Sequence, residues 1–270
     1  MRRHFHKMHG LGNDFVIVDA RPETGSPPFD VTPALARAIA DRRTGVGCDQ
    51  LIVLEPSDGA DLKMRIWNSD GGEVQSCGNA TRCVVQLTGA KRIDSDGGLL
   101  EGEDLGGEVE VSIGEPRFGW DEIPLAYAMD TAALPLSWDG LEHPMALNVG
   151  NPHLVFFVPD AREVPLDELG PRIEHDPAFP ERINVNVATY VDNRLKLRTF
   201  ERGAGETLAC GTGACASAVA AILTRRATSP IRVDMTGGSL TITWAPGEPV
   251  RMRGSATHVF SGELDVDALQ

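Results

Sequence analysis

Leu62-Lys-Met-Arg-Ile-Trp-Asn-Ser-Asp-Gly-Gly-Glu-Val-Gln-Ser-Cys-Gly78 returns 133 residues later as Leu195-Lys-Leu-Arg-Thr-Phe-Glu-Arg-Gly-Ala-Gly-Glu-Thr-Leu-Ala-Cys-Gly211, with seven of seventeen positions identical. Average composition gives about one such match. The identities include Gly72/Gly205, Glu73/Glu206, Cys77/Cys210 and Gly78/Gly211. Gly12-Asn13 is echoed by Gly150-Asn151 at an offset of 138, and an apolar run follows in each case. The period is too long and the copies too few for a solenoid, so a whole domain has been duplicated, with a small insertion in one copy.

Each copy runs the same local programme. Alternating residues 63–67 and 194–200 read as strands, a Gly-rich turn follows, and then a helical pattern. The first helix is expected over 78–87 with a stop at Gly89, and the second, rich in alanine, over 211–223. Each repeated cysteine thereby lands where a turn enters a helix. Further strands are expected at 15–18, 50–54, 109–113, 153–158, 231–235 and 240–244, with an amphipathic helix over 33–43. Residues 94–107, rich in Gly and acid, read as hairpin turns, and 114–124 as the linker. Many strands with few helices indicate an α+β fold.

The 270 residues are 41% apolar and 24% charged, which suits globular folding and excludes a disordered or fibrous chain. At this length two domains with a cleft between them are expected, because single cores stop growing. The expected division is 1–118 and 119–257. With 25 Lys and Arg against 39 Asp and Glu, net charge −14, and no basic cluster longer than a pair, nucleic acid is an unsuitable partner. No apolar run approaches the roughly 20 residues of a membrane span, and no apolar signal segment follows Met1-Arg2-Arg3. A cytoplasmic location is expected.

Five cysteines, Cys48, Cys77, Cys83, Cys210 and Cys215, form an odd set without a C-x-x-C pair, so neither zinc nor a disulfide framework is indicated. His4, His6 and His9 lack accompanying acidic or thiol ligands, and no metal is expected. Gly45-Val-Gly47 lacks the third glycine of a dinucleotide fingerprint. Glu73 and Glu206 read as solvated turn or first-turn charges.

An isolated cysteine is most often a buried core residue, and that reading is kept for Cys48, Cys83 and Cys215. Duplication in matching Gly-x-x-x-x-Cys-Gly frames argues otherwise for Cys77 and Cys210. A cysteine at a helix N-terminus lies beside unpaired N–H groups and the positive end of the dipole, which favour the thiolate. Gly78 and Gly211 allow close approach of a carboxylate to those N–H groups. Two opposed sulfurs suit inversion of a stereocentre: one removes the Cα proton and the other delivers a proton to the opposite face. The N–H groups then stabilise the enolate-like carboxylate, and no cofactor is required.

At these motifs the chain closely resembles the diaminopimelate epimerases. The resemblance is carried by His9-Gly-Leu-Gly-Asn-Asp-Phe15, Gly47-Cys-Asp-Gln50, Asn68-Ser-Asp-Gly71, Ser76-Cys-Gly-Asn79, Gly150-Asn-Pro-His153, Glu181-Arg-Ile-Asn184, Glu201-Arg-Gly-Ala-Gly-Glu-Thr207 and Ala209-Cys-Gly-Thr-Gly-Ala214. It implies two pseudosymmetric domains, each a curled, mainly antiparallel sheet around a central helix, with the active site in the interdomain cleft. It also implies that residues 258–270 return to the first domain. The implied activity is cofactor-independent interconversion of LL- and meso-diaminopimelate, a small-molecule substrate of lysine and peptidoglycan synthesis, and a homodimer is expected. Cys77 and Cys210 match the two bases. Asn13, Gln50, Asn68, Asn151, Asn184 and Arg202 match substrate ligands, as does Glu201. Gly78-Asn79 and Gly211-Thr212 match the carboxylate-binding helix starts. His153 and Glu201 match residues that tune the cysteines. Arg202 offers a bidentate fork for the distal carboxylate, which a proline or hydroxyproline racemase of the same fold would not need. A thiol redox protein and a noncatalytic amino-acid-binding protein are the readings from other classes. The chain departs from the family pattern at Ala80-Thr81, where Gly-Ala is common, and at Asn186, which stands where glycine is often found.

Overall fold

In a computed structural model describing residues 2–75 and 77–269, the chain divides into two compact units, Met1–Val111 with Gly254–Gln270, and Ser112–Arg253. Unit 1 contains β1 (Arg2–Gly10), β2 (Asn13–Asp19), α1 (Pro33–Ala40), β3 (Gln50–Glu55), β4 (Leu62–Asn68), β5 (Glu73–Val74), α2 (Gly78–Thr88), β6 (Arg92–Ser95), β7 (Gly98–Asp104) and most of β8 (Val109–Ser112). Unit 2 contains β9 (Ser137–Trp138), β10 (Leu141–Glu142), β11 (Met145–Asn148), β12 (Pro152–Phe157), α3 (Leu166–Glu174), β13 (Asn184–Val191), β14 (Arg194–Glu201), β15 (Gly205–Glu206), α4 (Gly211–Leu223), β16 (Ile231–Met235), β17 (Gly238–Thr243) and nearly all of β18 (Arg251–Gly254). The last strand, β19 (Thr257–Asp265), belongs to unit 1, where it pairs antiparallel with β1.

The pairing order shows how far the duplication extends. In unit 1, β1 and β2 are antiparallel, β2 and β3 parallel, β3 and β4 antiparallel, β4 and β6 parallel, and β6 and β7 antiparallel. Unit 2 repeats this with β11 to β14, β16 and β17. Register matches residue for residue: Phe15 faces Gln50 and Gln50 faces Asn68, while His153 faces Asn184. Since Val185 faces Phe200, the next step places Asn184 beside Glu201. Asn13/Asn151, Gln50/Asn184, Asn68/Glu201 and Cys77/Cys210 are therefore equivalent positions in two copies of one fold.

Strand alternation sends successive side chains to opposite sheet faces. Val16, Val18, Leu51 and Val53 enter a core with Leu35, Ala36 and Ile39 of α1. Leu154, Phe156, Val185, Val187 and Phe200 enter one with Leu166, Leu169 and Ile173 of α3. The other face of the unit 2 sheet meets α4, whose residues 213–221 are buried on all sides, so its alanine content reflects a helix with no solvent face. Helix α2 packs on β1, β2, β7 and β19, and ends at Gly89, whose φ of 71° is open to glycine without strain.

Two expectations need correction. Helix α1 stops at Ala40, with Thr32 capping its start through Leu35 N–H and Asp41 already extended. The stretch read as hairpin turns contains strand β7. Only Gly102 of that strand is buried, where an added Cβ would lie 2.4 Å from Val85 Cγ2 of α2. A strand that presents a glycine inward and acids outward has the composition of a loop. Among the described residues, no helix is long and apolar enough to cross a membrane.

Candidate active site

Cys77 and Cys210 occupy the same station in their units: each is the N-cap residue of a helix, in extended backbone, with Gly78 and Gly211 as first helical residues. In both units the approach to that station is braced. The Arg65 guanidinium donates to both carboxylate oxygens of Glu73 (2.7 and 3.1 Å), and Arg198 does the same to Glu206 (2.7 and 2.8 Å). Glu73 and Glu206 are thus exposed, as expected, and are also the partners of duplicated arginines. The signal was present in the sequence, since both Arg and Glu are identical across the repeat.

In unit 1 the Cys77 sulfur donates to Asn13 Oδ1 at 3.8 Å. The orientation of Asn13 follows from its neighbours. Asp49 can only accept, and it receives Asn13 Nδ2 at 3.0 Å; Arg82 can only donate, and its Nη2 reaches Asn79 Oδ1 at 2.9 Å, turning Asn79 Nδ2 toward Asn13 Oδ1 at 3.2 Å. Arg82 is fully buried and also reaches the Ser255 carbonyl. Asp14 and Asp49 clasp each other's backbone N–H groups, and Arg42 bridges both carboxylates. Burial alone would push the Asp14 carboxyl up, but bonds from Arg42 and Lys7 outweigh it and hold Asp14 far below the usual carboxylate range. Asp14, Arg42, Asp49 and Arg82 received no role from sequence reading. Gln50 Nε2 donates to Asn68 Oδ1 at 2.9 Å, which leaves Gln50 Oε1 buried without a hydrogen-bond donor.

In unit 2 the Cys210 sulfur accepts the Gly213 N–H at 3.4 Å and lies 3.5 Å from Thr212 Oγ1. The helix start therefore does favour thiolate, yet it does not win. Burial, followed by the negative charge of Glu201, pushes the Cys210 thiol well above its ordinary range, against the pull of Thr212 and Gly213. Cys210 lies beside Glu201, which Thr207 orients by hydroxyl donation. Asn184 Nδ2 donates to the Pro152 carbonyl at 2.8 Å, while its Oδ1 takes the Arg202 backbone N–H at 2.9 Å. Arg202 is exposed, with Nη1 on the Glu181 carbonyl. Asn151 Oδ1 meets His153 Nε2 at 2.8 Å. His153 is fully buried, and its pKa is pushed down to about 3, first by burial and then by the charge of Arg202, so it is a neutral imidazole at physiological pH.

In unit 1 Asn13 and Asn79 reach the cysteine helix start and Gln50 pairs with Asn68; in unit 2 Thr212 and Glu201 reach it, while Asn151 pairs with His153 and Asn184 holds the Arg202 backbone. Cys48 and Cys83 are buried, and burial lifts their thiols to about 11 and about 12. Cys215 is buried in α4. None of the five cysteines is in a disulfide. Among the described residues, no group of three or more His, Cys, Asp or Glu is placed to hold a metal ion.

The family model described as diaminopimelate epimerase matches this chain twice, over residues 5–119 and 145–259. The chain belongs to the diaminopimelate epimerase family. A diaminopimelate epimerase from Rhizorhabdus wittichii is 63% identical over 99% of this chain and 97% of the relative. Outside the family the fold persists where sequence has diverged. A phenazine biosynthesis protein of the PhzF family from Bacillus anthracis superposes with a TM-score of 0.67 at 17% identity, covering 98% of this chain and 99% of that one. A hydroxyproline epimerase from Agrobacterium vitis superposes with a TM-score of 0.65 at 14% identity, covering 97% and 91%. The α+β fold with two duplicated domains is common to the family and to these distant structures.

Proposed function

We propose that this chain interconverts LL- and meso-diaminopimelate without a cofactor, Cys77 and Cys210 acting as the two bases on opposite faces of one Cα. The observation that carries this reading is the duplicated cysteine helix start, with Asn13/Asn151, Gln50/Asn184 and Asn68/Glu201 at equivalent strand positions in the two copies. In one direction a thiolate takes the Cα proton and becomes a thiol. The electron pair moves into the carboxylate, and the opposite thiol gives its proton to the other face and becomes the thiolate. Helix-start N–H groups at Gly78-Asn79 and Gly211-Thr212 stabilise the carboxylate as charge builds there. A thiol raised by burial and by Glu201 suits the proton-donating role at rest.

Buried Gln50 Oε1, an acceptor without a donor, fits an ammonium N–H from the substrate. The Asn13, Asn68, Asn151 and Asn184 set with Arg202 would hold the distal amino-acid group, which separates this reading from a proline or hydroxyproline racemase. We further propose a cytoplasmic homodimer, because a mechanism based on reduced thiols needs a reducing compartment and β19 exposes Val259 and Phe260 on unit 1. Sedimentation equilibrium tests the dimer.

The deciding test is solvent proton exchange in deuterated water. LL-diaminopimelate should gain deuterium at one Cα during conversion, while proline and trans-4-hydroxyproline should remain unlabelled. Exchange into neither class, or disulfide-dependent redox cycling of the two thiols in its place, would refute the reading.

A further inference from the structure

The duplication offers a comparison inside one molecule. Strand register makes Phe15, Ile52 and Ile66 of unit 1 the equivalents of His153, Asn186 and Thr199 of unit 2: Ile52 faces Ile66, and Asn186 faces Thr199. All six are buried. One copy fills this core position with apolar side chains, which is the less costly choice, and the other fills it with three polar ones, which must satisfy one another.

They do so with a fixed sense. Asn186 Nδ2 donates to the Leu154 carbonyl at 2.8 Å, and a carbonyl can only accept, so the amide nitrogen is on that side. The same Nδ2 lies 3.0 Å from His153 Nδ1, while Thr199 Oγ1 donates to Asn186 Oδ1 at 3.0 Å. A donor facing Nδ1 requires Nδ1 to be the bare nitrogen. The ring proton is therefore on Nε2, where it donates to Asn151 Oδ1 at 2.8 Å. Asn151 then has its oxygen engaged and its two amide N–H donors left to face a ligand.

We infer that Asn186, oriented by Leu154 and Thr199, is a positioning residue that locks the Nε2–H tautomer of His153 and thereby makes Asn151 a hydrogen-bond donor toward the substrate. This rests on the epimerase reading only for what Asn151 binds; the lock itself concerns the unliganded protein. Donors at Asn151 suit a carboxylate oxygen of the substrate, and an inverted ring would present the Asn151 oxygen and repel it.

The test combines ring spectroscopy with kinetics. With 15N-labelled histidine, long-range proton–nitrogen correlation at pH 7 should show His153 protonated on Nε2 and bare at Nδ1. Asn186→Asp replaces the donor with an acceptor, so the proton should move to Nδ1; Asn186→Ala removes both and should give a mixture of tautomers. Each variant should lose about tenfold or more in kcat/KM, the scale of one hydrogen bond to a charged group. Nδ1–H in the parent protein, or an unchanged ring in Asn186→Asp, would overturn the lock. If Asn186→Asp does not fold, Asn186→Ala decides. A changed ring with unchanged kcat/KM would remove the positioning role, whereas the expected ring state in a protein inactive on diaminopimelate would refute the activity and leave the lock standing.

Discussion

Gly213→Ala places the largest demand on the smallest change. The added Cβ would sit 2.5 Å from Asn186 Oδ1, 2.8 Å from Thr199 Oγ1 and 3.3 Å from Cys210 Cβ. Contacts below 3 Å force movement, and neither oxygen can swing away, because each is tied into the buried network around His153. Overpacking of this kind costs about 1–3 kcal/mol, while alanine in place of glycine in a helix returns about 1 kcal/mol. The expected net loss of stability is about 1 kcal/mol. Function should suffer more, since relieving the clash shifts the start of α4, and Gly213 N–H is the donor to the Cys210 sulfur. A misplacement near 1 Å costs about 100-fold in rate, so kcat/KM should fall by about that factor. The assay pairs urea denaturation with epimerase kinetics. Asn186→Ala in the Gly213→Ala background should recover part of the stability by removing the closest oxygen. A Gly213→Ala protein with raised stability and parental kcat/KM would refute the packing argument.

Three other outcomes are expected. Cys77→Ala and Cys210→Ala should each abolish epimerisation, since inversion needs proton removal and delivery on opposite faces; Cys77→Ser and Cys210→Ser should eliminate halide from halogenated substrate analogues of opposite configuration. Arg202→Lys should lower kcat/KM on diaminopimelate while leaving the alkylation rates of both thiols near parental values, because an ammonium cannot reproduce a bidentate fork. His153, depressed to about 3 when folded and near 6.5 when unfolded, binds its proton more readily in the unfolded chain. Its contribution to stability is therefore complete above about pH 6.5 and is lost as pH falls toward 3. His153→Phe should flatten that part of the stability profile in denaturant titrations; an unchanged profile would place the titration elsewhere.

The repeat, the strand–turn–helix programme and the position of both cysteines at helix starts were legible in the sequence, because they depend on local order: periodicity of apolar residues, Gly at the turn, and identical frames in the two halves. The family membership was legible for the same reason, through motifs contiguous along the chain. Strand β7 was missed because a strand with one inward glycine and outward acids has no alternating apolar signal. Bonds between side chains distant in sequence were also beyond it. Nothing local in Asp49 or Arg82 announces that they orient Asn13 from both ends. The Cys210 thiol shows the limit most clearly. Sequence placed it at a helix N-terminus, where the dipole favours thiolate, but folding buries the sulfur and brings Glu201 beside it, and both push its pKa upward. Desolvation and charge act through space, so tertiary structure alone decided which of those opposing effects won.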